Sequence, residues 1–192
     1  MYDAIAVAAA YLIGSIPFAL LVAKRRGVDL RRAGSGNVGS TNVLRTAGVQ
    51  AAIEALVLDV GKGALAVLIA RRVTGDQAVA MLAGLAAIVG HMHPVWLRFR
   101  GGKGVATGAG AFAVLAPLSL GIAVAAFVVT VWVSRYASLG SLVAGMTLAI
   151  VQAMEGPTVV AAGATVCALI VTVSHRANVA RLIAGTERRI GN

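Results

Sequence analysis

Acidic residues are scarce in this chain: seven Asp and Glu stand against seventeen Lys and Arg in 192 residues, and the four charged types together make up only 12%. So little charge excludes the solvated surface that a soluble domain of this length carries. Cysteine is nearly absent. Cys167 is single and lies inside an apolar run, which rules out a disulfide framework and a cysteine metal cluster. It reads as a small packing residue. The three histidines come without clustered carboxylates or thiols, so no metal site is expected, and His91 and His93 read as loop histidines at an interface. What is abundant is apolar: 59% of the residues are hydrophobic and the mean hydropathy is +0.88. This is the composition of an integral membrane protein. On a soluble chain a net charge of +10 would point to nucleic acid; here the cations lie between apolar runs, where they orient the chain and meet anionic lipid or substrate.

Apolar runs at about 4–23, 49–70, 77–96, 105–134, 138–154 and 157–174 are each expected to be helical and membrane-embedded. The segment Met1-Tyr2-Asp3 lacks the basic start of a cleavable signal peptide, so the first run is expected to remain as a span. In the long fourth run Pro117 breaks the backbone ladder, and Arg98, Arg100 and Lys103 before it with Arg135 after it place both ends on one side. Two short helices satisfy that charge pattern. The expected fold is therefore all-α, with seven transmembrane helices, the N-terminus outside and the C-terminus cytoplasmic. The longest polar stretches, about 24–48 and the tail from 175, are too short to bury a core of their own. Residues 1–192 are expected to form one membrane domain.

In this topology four polar segments share the inner leaflet. The first, Gly34-Ser35-Gly36-Asn37-Val38-Gly39-Ser40-Thr41-Asn42-Val43-Leu44-Arg45, crowds glycines, hydroxyls, side-chain amides and a guanidinium into a short space. Such a segment brings backbone N–H groups against an anion and reads as a phosphate cradle, with a capped helix start over Ser35 to Asn42 as the plainer alternative. The others are Gly90-His91-Met92-His93-Pro94 leading to Gly101-Gly102-Lys103-Gly104, then Ser138-Leu139-Gly140-Ser141, and His175-Arg176-Ala177-Asn178-Val179-Ala180-Arg181. Donors and fixed cations gathered on one side suit a doubly charged phosphate.

Two motifs of soluble proteins do not fit. Gly34, Gly36 and Gly39 spell G-x-G-x-x-G, but no βαβ unit surrounds them. Gly102-Lys103-Gly104 lacks the hydroxyl residue after the lysine that holds magnesium in a Walker loop. Asp59 and Lys62, three residues apart inside the second run, share a helix face, either as a structural ion pair or as organisers of a site. Glycines such as Gly84, Gly108, Gly110 and Gly145 are expected to permit close helix packing.

The first segment, together with Leu58-Asp59-Val60-Gly61-Lys62-Gly63, Gly90-His91 to Pro94 with Gly101-Gly102-Lys103-Gly104-Val105-Ala106-Thr107, Tyr136-Ala137-Ser138-Leu139-Gly140-Ser141-Leu142, and His175 to Leu182 followed by Gly185-Thr186-Glu187, closely resembles the PlsY type of bacterial glycerol-3-phosphate acyltransferase. The resemblance covers essentially the whole chain. It implies a multi-pass enzyme of the bacterial inner membrane, its site facing the cytoplasm, that moves an acyl group from acyl phosphate to the first hydroxyl of glycerol 3-phosphate. An acyl phosphate is already activated, so no cofactor, coenzyme A or ATP is implied. The partners implied are the two substrates, the bilayer and an upstream enzyme that makes acyl phosphate; nucleic acid is not among them.

By motif, the resemblance implies catalytic roles for Ser35, Arg45, Lys103, Ser141, His175 and Asn178, and substrate binding by Gly36, Asn37, Gly39, Thr41, Asn42, Gly101, Gly102 and Gly104. Arg45 and Lys103 would neutralise phosphate while Ser35, Ser141 and the glycine-rich backbone donate hydrogen bonds. His175 is the obvious general base near neutral pH, but a substrate phosphate oxygen can take the hydroxyl proton instead. The His-x4-Asp pattern of acyl-CoA-dependent acyltransferases is absent: five residues after His91, His93 and His175 stand Trp96, Arg98 and Ala180. A small anion transporter or channel, using Asp59 and Lys62 as a path, is the alternative from another class.

Overall fold

The structure is a computed structural model that describes residues 1–191. Among the described residues it is helical without strands, and the chain divides into two compact units, Met1–Leu115 and Ala116–Asn192. The first unit contains α1 (Tyr2–Ser15), α2 (Phe18–Arg25), α3 (Ser40–Ala47), α4 (Val49–Thr74), α5 (Gln77–Met92), a 3-10 turn at Val95–Leu97, and α6 (Val105–Leu115). The second contains α7 (Pro117–Ser134), α8 (Ala137–Glu155), α9 (Thr158–Ser174) and α10 (Arg176–Ile183).

Within the first unit, helices approach through small residues. Gly14 of α1 lies so near the backbone of Ala87 in α5 that a side-chain carbon would collide with it, and Gly90 stands in the same relation to the carbonyl of Tyr11. Gly63 of α4 meets the carbonyl of Thr107 in α6, and Gly110 of α6 meets that of Val60. Apolar surface gains little by leaving lipid, so close backbone approach of this kind is what holds membrane helices together. Alanine side chains fill the seams, with Ala6, Ala10, Ala66, Ala70, Ala83 and Ala87 forming one buried cluster. Gly110→Ala is expected to destabilise the protein by about 1–3 kcal/mol through overpacking. Gly61→Ala, with open space around its position, should leave the melting temperature in detergent unchanged or raise it.

Among the described residues four segments are long and apolar enough to cross a membrane: Tyr2–Arg25, Gln77–Leu97, Pro117–Ser134 and Ala137–Glu155. A fifth is added if Thr158–Ser174 and Arg176–Ile183, bent by 60°, count as one. Two helices account for the distance from the expected seven. The α4 helix has the length, at 26 residues, but every 18-residue stretch of it includes Asp59, Lys62 and at least one of Glu54, Arg71 and Arg72. The α6 helix is apolar but has only 11 residues.

The run expected at 105–134 is indeed two helices, interrupted at Ala116, with Pro117 in the first turn of α7 where its missing N–H costs nothing. The first run differs from expectation. It is interrupted at Ile16–Pro17 and restarts as α2, because proline removes a backbone donor and clashes with the preceding turn. The polar segment 34–45 is not all loop either: α3 begins at Ser40, with Gly39 as its N-cap.

Candidate active site

The first polar segment is folded around one side chain. Asn42 of α3 is 1% exposed; its Oδ1 accepts from the N–H of Ser35 at 2.9 Å, and its Nδ2 faces the carbonyls of Asn37 at 3.0 Å, Ala33 at 3.1 Å and Leu30 at 3.2 Å. Both ends of this amide are thereby committed to the loop's own backbone. Gly34 and Gly36 take left-handed conformations on either side of Ser35, and a side chain on Gly34 would strike Oδ1 of Asn42. Leu30, Val38 and Val43 anchor the loop in a buried cluster with Val22 and Ala55. The result is a rigid turn that leaves Ser35 and Gly36 exposed, with Asn37, Gly39, Thr41 and Arg45 half-buried beside it.

The second polar segment is pinned to the end of α5. The N–H of Gly101 donates to the carbonyl of Met92 at 2.9 Å and that of Gly102 to the carbonyl of His91 at 3.1 Å, closing the turn that presents Lys103. Gly104 follows with φ 83°, and α6 begins one residue later. Lys103 thus precedes a helix N-terminus, where backbone N–H groups and the helix dipole favour an anion. The two segments touch. Any side chain on Gly102 would run into the carbonyl of Val38 in the first loop as well as the ring of His91, and Arg31 donates to the carbonyl of Leu97 at 3.4 Å.

His91 departs from the expected interfacial loop histidine: it lies in the last turn of α5 and is buried, whereas His93 is exposed. An apolar helix that continues to Met92 carries His91 inward before the chain turns at Pro94.

In the second unit His175 sits at the α9–α10 junction, 3% exposed, with Nδ1 2.8 Å from the carbonyl of Val171. A carbonyl only accepts, so Nδ1 carries the proton in this contact. Ser141 is buried in α8 and its hydroxyl donates to the carbonyl of Ala137 at 2.9 Å. Asn178 donates to Oε1 of Glu187 at 2.6 Å.

Glu187 organises this end of the unit, although the sequence reading gave it no role. Its Oε1 also accepts from Ser138 at 2.7 Å, and its Oε2 from Nε of Arg181 at 2.7 Å. Burial pushes its carboxyl up, but the hydrogen bonds from Asn178, Ser138 and Arg181 and the charge of Arg181 outweigh that and hold it below the usual carboxylate range. A signal existed: Glu187 is the one acid in a tail that carries Arg181, Arg188 and Arg189.

Residues 4–185 match the family model described as glycerol-3-phosphate acyltransferase, a stretch that enters both units. The chain belongs to the glycerol-3-phosphate acyltransferase family. Curated glycerol-3-phosphate acyltransferases similar to it include that of Cereibacter sphaeroides, 46% identical over 94% of this chain and 86% of the relative, and that of Geobacter sulfurreducens, 44% identical over 97% of each. Among solved structures it is similar to PlsY, an integral membrane glycerol 3-phosphate acyltransferase, in the glycerol 3-phosphate form, with a TM-score of 0.94 and 38% identity over 100% of this chain and 96% of that one. The lysophosphatidic acid form of PlsY matches with a TM-score of 0.93. This chain is accordingly a membrane-embedded acyltransferase of phospholipid synthesis.

Proposed function

We propose that this enzyme transfers an acyl group from acyl phosphate to the first hydroxyl of glycerol 3-phosphate, giving lysophosphatidic acid and inorganic phosphate. The observation that carries the reading is the contact between two anion cradles in the first unit: the turn around Ser35, shaped by Asn42, and the Gly101 to Gly104 turn, where Gly102 abuts the carbonyl of Val38. Two phosphate-bearing substrates call for two such cradles. Solved forms of PlsY with glycerol 3-phosphate and lysophosphatidic acid support the acceptor and product.

In this reading Arg45 and Lys103 neutralise phosphate charge, and the Ser35 hydroxyl with the backbone of Asn37, Gly39 and Gly104 donates hydrogen bonds. Gly36, Gly101 and Gly102, whose N–H groups are already given to the carbonyls of Ala33, Met92 and His91, shape the two turns that receive the phosphate. Thr41 lines the first cradle, and Asn42 builds it. In the second unit we assign Ser141, His175 and Asn178 to the same reaction. The hydroxyl oxygen of glycerol 3-phosphate attacks the acyl carbonyl carbon, the bond from that carbon to the phosphate oxygen breaks, and inorganic phosphate leaves. The hydroxyl proton passes to a phosphate oxygen of the substrate. No covalent enzyme intermediate is required, because the donor is activated on arrival.

We further assign residues 1–192 to one acyltransferase domain with seven membrane segments. The count adds α4, whose buried charges are paired within the protein, and the short α6. The N-terminus lies outside and the polar loops face the cytoplasm of a bacterial inner membrane, in keeping with cations at Lys24, Arg25, Arg26, Arg98 and Arg100. An acyl-phosphate-producing enzyme would act upstream.

The test is a donor comparison with purified protein in detergent, supplying palmitoyl phosphate or palmitoyl-CoA beside radiolabelled glycerol 3-phosphate. Labelled lysophosphatidic acid is expected from the acyl phosphate alone. Product from the CoA ester alone would refute the donor assignment.

A further inference from the structure

A second polar cluster, buried in the first unit, lies beneath the Gly101 to Gly104 turn. Lys62 Nζ stands 2.7 Å from Oδ1 of Asp59 one helical turn earlier, and each side chain is 2% exposed. The same ammonium donates to the carbonyl of Ile16 at 2.8 Å, a group released by the break at Pro17, and lies 5.8 Å from the ring centroid of Phe18. Oδ1 of Asp59 is also 3.6 Å from Nδ1 of His91. His91 reaches the turn twice. Its carbonyl accepts from the N–H of Gly102, and its Nε2 occupies the place where a side chain on Gly102 would have to go.

These contacts form one path: the α1–α2 break, Lys62, Asp59, the His91 ring, Gly102, and then Lys103. Holding a helix interface together does not call for this chemistry. Well-packed apolar side chains of similar volume serve as well as a buried ion pair, or better, because two charges must be stripped of water to bury them. What an ion pair adds is direction. The carboxylate, held by the ammonium, stands 3.6 Å from Nδ1 of the imidazole, beyond hydrogen-bond range. Its charge is close enough to favour the ring orientation that turns this nitrogen toward it, under the glycine that packs on the ring.

Building on the phosphate-cradle reading above, we propose that Asp59 and Lys62, acting through His91, are positioning residues that set the Gly101 to Gly104 turn and thereby the location of Lys103 against substrate phosphate. None of the three is asked to touch substrate. A displacement of about 1 Å at a charged contact is worth roughly a hundredfold in rate, so a network of this kind acts on turnover more than on folding.

Two variants test it. Asp59→Leu combined with Lys62→Met removes both charges at once, and His91→Gln keeps a hydrogen-bonding side chain but removes the ring under Gly102. The expected result is a melting temperature near the parent's with kcat/KM for glycerol 3-phosphate lowered about 10- to 100-fold. On a Lys103→Ala background the same substitutions should cost little further activity, because residues acting through one group are not additive. Parental kinetics in either folded variant would overturn the proposal, as would an equal loss with and without Lys103. So would an unfolded Asp59→Leu, Lys62→Met protein, since the pair would then be holding helices. If the parent itself shows no turnover with palmitoyl phosphate, the donor reading fails instead, and the two failures are told apart by that control.

Discussion

Lys103→Ala is expected to lower kcat/KM by about 10²- to 10³-fold, the usual loss when one preorganised electrostatic contact to the reacting group is removed. Three features of this chain put the effect at the upper end. The turn carrying Lys103 is closed by two backbone hydrogen bonds to α5, from Gly101 and Gly102. Gly104 adopts φ 83°, so the chain enters α6 sharply. The cation is half-buried beside a helix N-terminus, where its field and the dipole's add. A lysine held this way is not replaced by a solvent cation. Steady-state kinetics with palmitoyl phosphate and glycerol 3-phosphate, beside a thermal melt, check the outcome. Lys103→Arg keeps the charge but not its compact shape and should recover only part of the rate. Full activity in the alanine variant would remove Lys103 from the site.

Hydropathy made most of the helices legible, because a long apolar run bounded by arginines has few alternatives in lipid. The break at Pro117 was readable for a second reason: cations at both ends of that run conflicted with a single crossing. No such conflict marked Pro17, which sits between Ile16 and Phe18 in uniformly apolar sequence, and the restart of the helix at Phe18 went unseen. The α3 helix was only half legible, as a capped start within Ser35 to Asn42, because of its composition. Ser40, Thr41, Asn42 and Thr46 are poor helix interior residues, and only in three dimensions does the Asn42 amide appear as the knot of the preceding loop. Burial explains the rest. His91 looked like a loop residue since Pro94 follows closely, and its partner Asp59 is a full helix away in sequence. The hub at Glu187 joins Ser138, Asn178 and Arg181 across up to 49 residues, a set that no local spacing reveals.

Glu187→Ala should be the most destabilising of the polar substitutions considered. Three donors, Ser138, Asn178 and Arg181, converge on a carboxylate whose side chain is 6% exposed. Removing it leaves Asn178 and Ser138 buried without that acceptor, at a cost of about 3 kcal/mol. In a chain of this size that corresponds to roughly 10 °C in melting temperature. The loss should extend to activity, because α10 and the His175 junction are tied to the tail through Asn178 and Arg181. The sign of the pH effect follows from the depressed folded-state value. A carboxyl held below its ordinary range contributes stability that is fully present above that range and is lost as pH falls through the folded-state value. Melting temperature in detergent should therefore show an acid limb below the usual carboxylate range that is weaker in Glu187→Gln, which retains an acceptor oxygen but no titrating group. An acid limb of the same size in both proteins, or an alanine variant that melts with the parent, would show that the tail is held by other contacts, such as the pairing of Ile190 with Arg135 at 2.8 Å.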